Sequence, residues 1–287
     1  MFPAFPGVHS ITSYGVILVL ACGVAWWLAR RRAAAIGIDP SHVDLALPLA
    51  FICGALMAGV IGWLWPGEYQ LAGDAYLSDG RRRLYAVALA GLPVLYAYAR
   101  IARVSLRQLA DAVALPALAF MAMVRTGCFL AGCCFGDLSG HLDRLAAIEH
   151  PALRVQVATL EIMSAREAPW AVQFPAGSFA YRQHEALGLL EAGATASLPI
   201  HPVQLYETLL VVLLYLVILR LRPRLAYPGS EALLVLGGYA SLQFLLEFLR
   251  ADNALVAGML TLNQLICIGW LLAATALAAF TCRYRTR

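Results

Sequence analysis

Long apolar runs separated by short polar ones dominate the chain. They occupy residues 9–29, 43–65, 84–100, 109–133, 203–222, 230–249 and 258–281; the third is the shortest, and Pro116 and Arg125 interrupt the fourth. A helix needs about 20 such residues to cross the hydrocarbon core of a bilayer, where it satisfies its backbone polar groups internally. The pattern therefore predicts an all-α polytopic membrane protein, a bundle of about seven transmembrane helices in one membrane domain spanning 1–287. Between the fourth and fifth runs lies a polar insertion, 137–202. It combines a helical-looking stretch (His141 to Glu149), an alternating stretch (Leu153 to Leu160) and turn-rich sequence around Pro169 and Pro175. A connection this long is usually functional, and its aromatic and apolar content predicts a small ordered head on the extracytoplasmic face. Internal repeats and low-complexity tracts are absent.

Composition strengthens the membrane assignment. Apolar residues make up 61% of the 287 positions and charged ones 13%, with a mean hydropathy of +0.73; soluble domains run near 45–50% and 25%. All 21 basic residues are arginine. Triplets at Arg30–Arg32, at Arg100, Arg103 and Arg107, at Arg220, Arg222 and Arg224, and at Arg283, Arg285 and Arg287 all fall on one side of the bundle. The positive-inside rule makes that side cytoplasmic, so the N-terminus is expected outside and the C-terminus inside, against the lone outer triplet Arg81–Arg83. Trp63 and Trp65 then mark the outer interface, Trp26 and Trp27 the inner one. The net charge of +4 serves this topology and is no nucleic-acid footprint. No arginine precedes the first apolar run, so that helix is expected to be retained rather than cleaved.

Ionisable residues within apolar spans are costly and mark functional sites by default. Here they are Arg125, Glu207, Glu247 and Arg250. Arg125, in MVRTGCFLAGCCFG, offers a planar fork suited to phosphate, or a structural charge for Glu247 or Glu207. Glu247 and Arg250, three apart in QFLLEFLR, are either a self-paired couple on one helix face or part of a polar site facing Arg125. His201 opens HPVQLYE, where it binds a headgroup, moves a proton or caps the helix. Cys128, Cys133 and Cys134 lack the paired spacing of zinc sites, and small-residue packing is the simpler reading.

In chain order these segments resemble the prolipoprotein diacylglyceryl transferase family. The resemblance rests on Ser13-Tyr14-Gly15, on RTGCFLAGCCFG from Arg125 to Gly136, on Pro169-Trp170-Ala171 with Phe174-Pro175, on HPVQLYE, on EFLRADN, and on Asn263-Gln264 at the last span. It implies a multi-pass enzyme of the bacterial inner membrane, N-terminus periplasmic and C-terminus cytoplasmic. That enzyme would move diacylglyceryl from phosphatidylglycerol to the thiol of a lipobox cysteine in a preprolipoprotein. It implies no metal, cofactor or nucleic acid, and a monomer among membrane lipid. By residue, it implies catalytic roles for Arg125, Glu247 and, at the position of the family's histidine, Tyr85; Tyr14, Gly136, His201, Arg250 and Gln243 would bind substrate.

The chain departs from the family pattern at four of these places. Tyr85 stands for the histidine, Gln243 for a second arginine, and Cys128 and Cys133 for an asparagine and a glutamate. A tyrosine, with a reference pKa near 10, is a poor base at neutral pH. The departures keep open a related membrane transferase acting on another acceptor, and a non-catalytic lipid-binding or lipoprotein-binding homologue. A transporter would show repeats or matched broken helices, which this sequence lacks.

Overall fold

The computed structural model describes residues 4–5, 8–64, 80–136, 168–186, 189–225, 227–250, 255–257 and 260–285. Among these the chain is mostly helical, with eight α-helices: α1 (Ser13–Ala35), α2 (Ser41–Leu64), α3 (Gly80–Ile101), α4 (Leu106–Ala131), α5 (Phe179–Ala186), α6 (Val203–Leu221), α7 (Ser230–Leu246) and α8 (Leu262–Arg285). Two short antiparallel pairs, Ala4–Phe5 with Val8–Thr12 and Leu255–Ala257 with Leu260–Thr261, precede α1 and α8. Five helices are long and apolar enough to cross a membrane: α1, α4, α6, α7 and α8. The residues predicted as second and third spans form the helices α2 and α3. The stretches His141 to Glu149 and Leu153 to Leu160, and Trp65, lie outside the described residues.

Local sequence explains the helix limits. Thr12 Oγ1 accepts from Gly15 N–H (3.1 Å) at the start of α1, and Ser105 Oγ from Gln108 N–H (3.4 Å) at the start of α4. Each side chain satisfies a donor that the first turn leaves orphaned. Gly132 ends α4 in the left-handed conformation, φ 70°. Pro116, expected to interrupt the fourth span, lies inside α4 without ending it. The loss of one N–H bond is tolerated where the surrounding helices hold the segment.

α4 is the central helix, packed against α1, α6 and α7; α2 packs on α3, and α7 on α8. Its buried face joins α6 and α7 through Leu115, Leu118, Ala122, Val211, Ile218 and Val235. Leu20, Leu56, Leu209, Leu216 and Leu272 point outward and exposed, as lipid-facing residues do. Arginines of two of the triplets, at the ends of α1 and α6, lie at the same end of the bundle. Arg30 pairs with Asp44, Arg32 with Glu231, and Arg222 Nε lies 3.6 Å from Glu231. The C-terminal ends of α1 and α6 thus meet the N-terminal ends of α2 and α7 at one end of the bundle. Asp111 of α4 joins them by accepting from Gly229 N–H (2.6 Å) and Ala232 N–H (2.9 Å).

At the other end the described part of the insertion, 168–186 and 189–202, folds back onto the end of α4. Phe174 is fully buried, stacks edge-on with Phe129 (5.9 Å), and its N–H donates to Ser197 Oγ (2.9 Å). His184 is buried beside Phe135 and its Nδ1 accepts from Leu198 N–H (3.1 Å). A side chain on Gly132 would stand 3.0 Å from Phe174, so the glycine both turns the chain and seats the head.

Candidate active site

Glu207 is the hub of the buried polar cluster. It lies on the first turns of α6 and is fully buried, where an unpaired carboxylate would be prohibitively costly. Arg125 Nε from α4 stands 2.7 Å from Oε1, close in charge though not aligned as a hydrogen bond. Gln243 Nε2 donates to the same oxygen at 2.5 Å and Tyr239 Oη at 3.2 Å, both from α7. Arg250 Nη1 lies 3.8 Å from Oε2. Arg125 and Arg250 are 7% and 4% exposed, so both ion pairs act in a low-dielectric interior. Of the two partners the spacing allowed for Arg125, the fold supplies Glu207.

Arg250 is not on the helix face that its spacing from Glu247 suggested. α7 ends at Leu246, Glu247–Leu249 form one 3-10 turn, and Arg250 is extended (φ −109°, ψ 135°). Extended backbone lets Arg250 bridge to Gly136. Glu247 is buried and accepts from Thr261 Oγ1 (2.9 Å) and Asn263 Nδ2 (2.6 Å). Gln264 completes this junction: its Oε1 accepts from Thr261 N–H (3.0 Å), and its own N–H donates to Thr261 Oγ1 (3.2 Å). Glu247 therefore fastens the entry of α8 to the end of α7.

Gly136 is the crossing point of two motifs. Its N–H donates to the His201 carbonyl (3.0 Å), and a Cβ there would fall 2.4 Å from Val203 Cγ2 and 2.5 Å from the His201 oxygen. Only glycine fits so close a backbone approach. His201 itself is not the helix cap, because Pro202 holds that place with no side-chain bond. Its Nδ1 stands 3.2 Å from Tyr206 Oη, which also takes the Trp170 indole N–H at 2.5 Å. Burial holds the His201 pKa below the ordinary histidine value, so the ring is neutral at pH 7.

Tyr14 packs on the α4 backbone at Gly127, within electrostatic reach of Arg125 and the three cysteines. Spacing suggested small-residue packing for Cys128, Cys133 and Cys134, yet the fold draws their sulfurs within 4.8 Å of one another. The turn at Gly132 does this. It carries the chain back over the last turn of α4, and Cys133 Sγ reaches the Cys128 carbonyl at 3.7 Å. Tyr85 lies in α3, and its side chain is outside the described residues.

Motifs far apart in sequence thus meet at the head end of α4, α6 and α7. A family model for prolipoprotein diacylglyceryl transferase matches residues 3–280. The chain belongs to this family. Among its curated relatives, the phosphatidylglycerol–prolipoprotein diacylglyceryl transferase of Sodalis glossinidius (strain morsitans) is 28% identical over 297 residues, covering 96% of this chain and 91% of its own. That of Proteus mirabilis (strain HI4320) is 29% identical over 266 residues, 86% and 79%; that of Azotobacter vinelandii (strain DJ / ATCC BAA-1303) is 25% identical over 293, 96% and 91%.

Gln204, Tyr239 and Thr261 were not singled out by the sequence, while Glu207 and Asn263 were noted, the first as a costly charge and the second in a motif, without a role in the site. Glu207 and Gln204 had a signal, since both lie in HPVQLYE, one turn apart on α6. Tyr239 and Thr261 had none, because their partners come from other helices.

Proposed function

We propose that this chain transfers the diacylglyceryl group of phosphatidylglycerol to the thiol of a lipobox cysteine in a preprolipoprotein. The observation that carries the reading is the convergence of Arg125, Arg250, Gln243 and Glu207 in one buried cluster beside Tyr14, in a chain that the family model matches nearly end to end. The relatives' names supply phosphatidylglycerol and prolipoprotein as the substrate classes.

In the reaction the thiol gives up its proton to solvent and its sulfur attacks the terminal methylene of the diacylglyceryl group. The carbon–oxygen bond to phosphate breaks, and glycerol phosphate departs with the electron pair. Departure is eased by positive charge fixed in advance where negative charge develops, which costs no reorganisation at the moment of reaction. Arg125 is the phosphate anchor: the Glu207 carboxylate, 2.7 Å from its Nε, holds the guanidinium charge in place within the cluster. Glu207, Gln243 and Tyr239 are positioning residues, holding Arg125 and Arg250 against rotation. Glu247 fixes the α7–α8 junction from which Arg250 reaches the cluster. The reaction face is periplasmic, by the arginine asymmetry, in an inner membrane crossed about seven times.

The test is transfer of labelled diacylglyceryl from phosphatidylglycerol to a lipobox-cysteine peptide by purified protein in nanodiscs. A thioether product from phosphatidylglycerol, and none from phosphatidylcholine or with a lipobox-serine peptide, is expected. Folded, lipid-loaded protein that gives no thioether overturns the reading and leaves another acceptor, or a lipid-binding role.

A further inference from the structure

We propose that Cys128, Cys133 and Cys134 form a three-thiolate site for one Zn(II) ion whose open fourth position takes the acceptor thiol. The inference rests on the transfer reading above and deepens it by naming what activates the nucleophile.

The geometry comes first. All three sulfurs lie within 4.8 Å of one another. With Zn–S bonds near 2.3 Å, thiolates of one zinc stand roughly 4 Å apart, so side-chain torsions alone bring these three into range. The backbone is shaped for this. Gly132 turns at φ 70°, and Cys134 adopts φ 55°, a left-handed conformation that a non-glycine residue rarely holds and that clusters at functional sites. The turn is pinned from outside: Gln204, 1% exposed, donates from Nε2 to the Cys133 carbonyl at 2.8 Å. Such support for a ligand-bearing segment is how proteins fix a metal's ligands in orientation.

The ligand set narrows the metal to thiophilic ions. Three sulfurs and no harder donor suit a soft d10 ion, and among the described residues no histidine or carboxylate joins the group as a fourth ligand. Structural zinc sites are closed by four protein ligands, whereas catalytic ones have three and keep a position open. Cys128 is buried while Cys133 and Cys134 are half-buried, so the last two are the more accessible of the three. A disulfide between the adjacent Cys133 and Cys134 would be strained.

The chemistry fits the transfer. A thiol is a weak nucleophile until deprotonated, and a thiol that coordinates zinc loses its proton outright. That proton passes to solvent. The bound thiolate attacks the methylene carbon, the carbon–oxygen bond to phosphate breaks, and the thioether formed is a poor ligand that dissociates, with zinc unchanged in oxidation state. Cys128 follows Arg125 by three residues on α4, on the same face and about 4.5 Å further along the axis. Thiolate and leaving phosphate would thus be held side by side, and Arg125 would offset the negative charge of a zinc trithiolate.

The experiment uses the full chain, purified, reduced and metal-free, titrated with Zn(II) and with Co(II) as a spectroscopic stand-in. One ion per chain is expected, with the Co(II) spectrum of tetrahedral thiolate ligation. Cys128→Ser, Cys133→Ser and Cys134→Ser should each weaken binding at least tenfold, while Cys22→Ser does not. A lipobox-cysteine peptide should change the Co(II) spectrum and its serine counterpart leave it alone. These readouts need no turnover, so a metal site that ligates the peptide thiol in protein unable to transfer diacylglyceryl would sink the transfer reading but not this one. The inference is overturned by reduced protein that binds neither ion, by binding indifferent to the three cysteines or to the peptide thiol, or by undiminished transfer after chelation.

Discussion

At one end of the bundle Glu231 is held by Arg32 and Arg222; at the other, Glu207 is held by Arg125 and Arg250. Both carboxylates are buried and each gathers two arginines from different segments, yet their surroundings differ. Glu231 lies in the first turn of α7, where a negative charge meets the positive end of the helix dipole, and Arg222 stays about a third exposed. Asp111 beside it accepts two N–H groups at the same helix start. Helix-start contacts and ion pairing account for Glu231 and Asp111 there. The Glu207 cluster caps nothing. It lies within the spans, under the head, beside three thiols and a backbone approach that admits only glycine. Buried charge without a capping role, joined to reactive side chains, is what separates a site from a strut.

That contrast breaks most visibly at Glu207. Glu207→Ala should leave Arg125 and Arg250 without their shared anion, costing about 3–5 kcal/mol of stability. It should also lower transfer at least a hundredfold in the protein that still folds, measured by thermal unfolding in detergent and by the labelled-lipid assay. Gly136→Ala comes next, since its methyl would meet Val203 and the His201 carbonyl; transfer should fall more than tenfold with a lower unfolding temperature. A third test probes the head alone. Burial pushes the His184 pKa from 6.5 down to about 4. The unfolded chain then binds the extra proton between these values, so stability is complete above pH 6.5 and falls on acidification towards pH 4, by at most about 3 kcal/mol. His184→Gln should flatten that slope in unfolding monitored between pH 7 and pH 4.5. The smallest effect belongs to the strut: Asp111→Ala should cost about 1–2 kcal/mol through the lost cap and leave transfer per folded molecule unchanged.

The apolar helices were legible because hydropathy and length are properties of contiguous sequence, and Arg30, Arg32 and Arg222 lie where helix ends meet. Arg125 was legible for a similar reason, as a charge costly enough in an apolar run to need a purpose. Glu207 was marked by its charge alone, and nothing local ranked it above Glu247 as the partner of Arg125 until α4 and α7 deliver Arg125, Tyr239 and Gln243 to it. The helical period likewise put Arg250 on the face of Glu247, where a 3-10 turn and an extended residue instead carry it to Gly136. Cys-x4-Cys-Cys is no metal spacing along a straight chain; only the left-handed turn at Gly132 folds it into a cluster.

The most direct test of the account is the comparison of Arg125→Ala with Asp111→Ala in transfer from phosphatidylglycerol to a lipobox-cysteine peptide, at equal amounts of folded protein. The account predicts that transfer vanishes with Arg125 and persists with the Asp111 variant. Equal transfer by both would contradict it, by showing that the Glu207 cluster is a strut like its counterpart at the other end.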